Sequence, residues 1–78
     1  MAKPRLRRGM VMRYVGDDHA FMKGLKVKLI APIRGGWWDV APWIEKNGRF
    51  SWVTSDARRE DLVPLDQLES RFYLRVMA

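Results

Sequence analysis

Asn47-Gly48 constrains this chain of 78 residues more than any other stretch. It lies between two strand-like runs, 43–46 and 49–53, and an Asn-Gly pair in that setting is the strongest short-range hairpin signal. A two-residue type I′ turn needs positive φ at both positions, which Asn tolerates and Gly adopts freely. Such a turn would set Lys46 opposite Arg49, Glu45 opposite Phe50, Ile44 opposite Ser51 and Trp43 opposite Trp52. The expected product is a cross-strand Trp43–Trp52 pair with Phe50 on its diagonal, a large local apolar cluster.

The stretches around the hairpin also read as strands. Residues 9–15 alternate Met10, Met12 and Tyr14 with Val11, Arg13 and Val15. Residues 25–33 give the clearest pattern: Leu25, Val27, Leu29 and Ala31 point inward, and Lys26 and Lys28 point outward. Pro32 cannot donate to a ladder and should end that strand. Between the two strands, Gly16-Asp17-Asp18-His19 forms a turn, and Phe21 and Met22 follow in a loop expected to fold back on the core. Arg34-Gly35-Gly36 terminates the second strand, and 34–42 reads as a connection into the hairpin. Trp37 and Trp38 are adjacent in it, so they point to opposite sides, and one of them is the expected exposed aromatic. Residues 54–61 read as a solvated polar turn or single helical turn, and Leu62-Val63-Pro64-Leu65 as a short closing strand. Asp66 can cap a helix, with Glu69 in capping-box position. Leu65, Leu68, Phe72 and Val76 then share one face of a helix over 66–77, with Arg71 and Arg75 toward its C-terminal end.

Charge bears on partners. The net charge is +6, and its excess lies in the first half: residues 1–34 carry nine basic side chains against two acidic ones. Residues 1–8 read as a flexible basic tail that buries nothing. The asymmetry points to an anionic partner, nucleic acid being the usual one. Candidate contacts are Arg5, Arg7, Arg8, Arg13, Lys23, Lys26, Lys28 and Arg34, with Trp37 or Trp38 stacking on an unpaired base. The competing expectation is a protein-interaction module that meets an acidic protein surface, of the inhibitor or adaptor kind that phages and mobile elements encode. There the exposed Trp is the hot spot.

Chemistry is sparse. With no Cys there is neither a disulfide nor a thiolate metal site. His19 stands alone beside Asp17 and Asp18, poor spacing for zinc, and no Ser-His-Asp set can be assembled around it. Asp56, Glu60 and Asp61 sit among arginines and read as exposed rather than as tuned acids or bases. No phosphate-binding Gly loop precedes a helix. No apolar run approaches the roughly 20 residues that span a bilayer, and 10–15 makes a poor signal-peptide core. The expectation is a cytoplasmic, non-enzymatic binding protein with no cofactor and no metal.

Five strand candidates, the tight hairpin and the run Glu60-Asp61-Leu62-Val63-Pro64-Leu65 together resemble a small Src-homology-3-like (SH3-like) β-barrel. The opening Gly9-Met10-Val11, then Gly16, then Lys23-Gly24-Leu25-Lys26-Val27 is similar to that of KOW and Tudor-type barrels. The resemblance covers residues 9–65. The loop at 17–22 is longer than in the KOW pattern, and the Trp-rich segment 37–43 departs from it. The peptide-binding aromatic set of eukaryotic signalling domains is missing, so Pro-rich ligands do not carry over. The resemblance implies a mainly β, five-stranded barrel over 9–65 with the short helix 66–77 packed on it. It also implies a binding module for RNA, DNA or protein.

Overall fold

The computed structural model describes residues 5–65. Six strands follow one another: β1 (Val11–Tyr14), β2 (Lys26–Pro32), β3 (Trp37–Ile44), β4 (Arg49–Phe50), β5 (Ser55–Arg58) and β6 (Leu62–Pro64). Single 3-10 turns lie at Ala20–Met22 and Arg59–Asp61. Every pairing is antiparallel, and the strand order is β4-β3-β2-β1-β6 with β5 also paired to β3. The mainly β expectation holds. Among the described residues the strands number six rather than five, and they form one open sheet. The helix expected over 66–77 lies outside the described residues.

One face of this sheet is the core. Met12 and Tyr14 of β1, Val27 and Leu29 of β2, and Trp38 and Val40 of β3 are buried there with Met22, Ala57 and Leu62. The period of two along each strand explains this directly, because alternate residues of β1, β2 and β3 face the same way. Met22 folds back on the core as expected, whereas Phe21 beside it stays 65% exposed. Leu6 packs against the core, so the described part of the expected tail, 5–8, buries one side chain; residues 1–4 lie outside the described residues.

The hairpin is built differently from its expected form. Trp43 pairs with Phe50 and Ile44 with Arg49, so the loop has four residues, 45–48. The Ile44 carbonyl accepts from both Asn47 N–H (3.1 Å) and Gly48 N–H (2.9 Å), as in a single helical turn. Gly48 closes the loop at φ 63°, and no non-Gly residue among those described takes a positive φ, Asn47 included. The register slips by two residues relative to a two-residue turn, which preserves the faces but changes the partners. Trp52 therefore loses its place opposite Trp43 and falls beyond β4.

Two more expectations are corrected. The segment read as a connection, 34–42, is mostly strand: β3 begins at Trp37 and pairs along both edges. The polar run 54–61 contains β5, an edge strand whose single buried residue is Ala57. β2 also bulges between Leu29 and Ala31, so that Leu29 faces Val40 but Ala31 faces Asp39. The extra residue, Ile30, breaks the alternation and turns Ala31 away from the inward run expected for it.

Candidate functional site

The sheet's other face carries the cations. Arg13 and Lys26 are direct partners across β1 and β2, and Lys28 is the partner of Val11 on one side and Ala41 on the other. Directly opposed side chains have Cβ atoms about 4.5–5.5 Å apart, and like charges so placed repel. Lys28 lies two residues along β2 from Lys26, on the same face. Arg13 donates from Nη1 to the Gly24 carbonyl, which fixes the guanidinium over the start of β2.

Toward β4 this face becomes aromatic. Ala41 and Trp43 are buried yet stand outside the core cluster, because they point to the opposite side of β3. Trp43 meets Phe50 edge to face at 5.1 Å between centroids. Such a pair adds about 0.5–1.5 kcal/mol beyond its buried area. The Trp43 indole N–H donates to Glu45 Oε2 at 2.7 Å, which holds the ring in place from the hairpin loop. A groove of about 370 Å³ opens here, floored by Ala41, Trp43 and Phe50 and edged by Lys28, Ile30, Arg49 and Trp52. Lys28 Nζ lies 5.5 Å from the Phe50 ring centre, and the Arg49 guanidinium lies 5.2 Å from that of Trp52. Neither cation has a carboxylate partner among the described residues. Trp52 itself is 82% exposed.

The remaining cations lie elsewhere. Arg5, Arg7, Arg8 and Arg34 are exposed outside the strands. Lys23 is taken by Asp17, and that hydrogen bond and charge raise the Lys23 pKa above its ordinary value. On the lysine side, the pair's contribution is present below the ordinary lysine pKa and is lost as pH rises through the raised one. Trp38 is a core residue, 9% exposed, and Trp37 is half-buried with the Arg58 guanidinium 5.1 Å from its ring centre. The expected exposed aromatic is therefore neither Trp37 nor Trp38 but Trp52. Arg49, Phe50 and Trp52 belong to the expected hairpin but not to the candidate contacts; alternation groups Phe50 with Trp52 and gives no sign that Arg49 joins them.

On the edge carrying β5, the loop after β1 is pinned by polar contacts. His19 Nε2 lies 2.7 Å from Asp56 Oδ1, and Arg58 Nε lies 3.5 Å from Asp18 Oδ2. His19 is thus a structural partner of β5 rather than an open loop residue. Among the described residues no cluster of three or more His, Cys, Asp or Glu could hold a metal ion, and no helix is long and apolar enough to cross a membrane.

No protein-family model, curated protein or solved structure matches this chain.

Proposed function

We propose that the chain is a small nucleic-acid-binding module of SH3-like architecture, acting in the cytoplasm by binding rather than catalysis. The strand order β6-β1-β2-β3, with β4 and β5 in succession along the far edge of β3, supports the architecture. The observation that carries the functional reading is the pair Lys28 and Arg49. Among the described residues these two cations have no carboxylate partner, and they flank one aromatic groove. Cations left unneutralised on a patterned face attract a polyanion, and aromatic faces among them give its bases something to stack on. Arg5, Arg7 and Arg8 extend the positive field.

Titration of a labelled oligonucleotide at low and high salt tests this. Each phosphate neutralised on a single strand contributes roughly 0.7 to the slope of log affinity against log salt. The double variant Lys28→Ala/Arg49→Ala should flatten the slope by about 1.4. Folded wild-type protein that binds no oligonucleotide at low salt contradicts the proposal and leaves an acidic protein surface as the partner.

A further inference from the structure

We infer that the groove between β2, β3 and the hairpin seats one unpaired nucleobase of a single strand, with Trp52 stacking on it and Lys28 and Arg49 holding the adjoining phosphates. This rests on the nucleic-acid reading and narrows it to a particular site and strand state. Three observations converge.

The first is the layout of polarity. Trp43, Phe50 and Ala41 make an apolar floor, while the two cations stand at the edges. A nucleotide has the same layout, with a flat apolar ring and an anion a short distance away. Glu45 keeps its charge, but its carboxylate is held on the Trp43 indole N–H and does not line the groove.

The second is size. About 370 Å³ falls at the lower end of the roughly 300–1,000 Å³ typical of small-ligand pockets. A base with its sugar suits such a space, whereas a duplex offers only base edges and keeps its ring faces stacked inside.

The third is Trp52. It is 82% exposed, Val53 next to it is 76% exposed, and no other aromatic ring packs on the Trp52 indole among the described residues. Among the described residues its ring contact is the Arg49 guanidinium. Arg49 thereby holds the indole at the groove's edge and leaves the rest of the ring surface open. Trp37, by contrast, is half-buried, and Trp38 is sealed in the core.

The test compares three labelled probes: a short oligothymidylate, the same backbone with abasic sites in place of the bases, and a duplex of similar length. Affinities are measured by fluorescence anisotropy at low salt for wild type, Trp52→Ala and Trp52→Phe. Trp52 is exposed, so neither variant should lose its fold, and a thermal melt checks this. The wild type should bind oligothymidylate about tenfold tighter than the abasic strand and tighter than the duplex, in keeping with the stacking of one base. Trp52→Ala should remove that advantage, and Trp52→Phe should retain most of it. Equal, salt-sensitive affinities for the three probes would overturn the base seat while leaving a phosphate-binding module. Binding to none of them overturns the nucleic-acid reading as well.

Discussion

Single residues decide how tightly this small sheet closes. Gly16 is buried, and a Cβ added there would lie 2.6 Å from Asp61 Cγ and 2.8 Å from Tyr14 Oη. The Asp61 carboxyl can rotate aside, but the Tyr14 hydroxyl cannot. Tyr14 is fully buried and its hydroxyl accepts the His19 N–H at 3.2 Å. Gly16→Ala should therefore cost on the order of 1–3 kcal/mol by overpacking, read as a lower urea midpoint. An unchanged midpoint would mean that the contact between the loop and the closing strand is looser than described. Gly48 is a different case. Nothing lies within 4 Å of its added Cβ, but its φ is +63°. The cost of Gly48→Val is then one of backbone alone, upwards of about 1–2 kcal/mol, and Gly48→Asn should recover part of it. Equal thermal midpoints for Gly48→Val and wild type would contradict the left-handed turn residue.

At the scale of elements, β2 separates the two faces. Val27 is fully buried and Lys28 faces the groove. Val27→Ala should lower stability by roughly 1.5–3 kcal/mol, and Lys28→Ala by less than about 1 kcal/mol. Equal denaturation midpoints would refute the register. This strand was legible in the sequence because its alternation is clean, and the row Arg13, Lys26 and Lys28 was legible with it. The bulge at Ile30 was not, since one extra residue leaves no mark in an apolar run, and it reversed Ala31. β5 was hidden for another reason. Ser55-Asp56-Ala57-Arg58 is an edge strand that needs only Ala57 inside, so its composition is that of a loop. The hairpin was located correctly by Asn47-Gly48, but the sequence left its loop length open. A helical turn through Asn47 ending in a left-handed Gly48 serves the same pair of residues. That difference of two in register decides whether Trp52 lies across from Trp43 or stands in solvent, so half of the candidate site could not be read from the pattern.

For the whole molecule, charge and groove belong to one account. The basic excess of the first half reaches the groove through β1 and β2, and the second half supplies the aromatic floor from β3 and β4. Replacing Arg5, Arg7 and Arg8 together by Ala keeps Leu6 on the core. It should flatten the salt dependence of oligonucleotide binding by up to about 2 with little change in the thermal midpoint. A steeper loss in midpoint than in salt slope would make those arginines structural. The central claim is that one face of the sheet, around the groove, meets the nucleic acid, and the chain's four tryptophans report on it directly. Their indole N–H signals can be followed by NMR while oligothymidylate is added to labelled protein. The account predicts that the signals of Trp43 and Trp52 move, while those of Trp38 in the core and Trp37 beside Arg58 stay in place. Movement of Trp37 and Trp38 with Trp43 and Trp52 unchanged would contradict it.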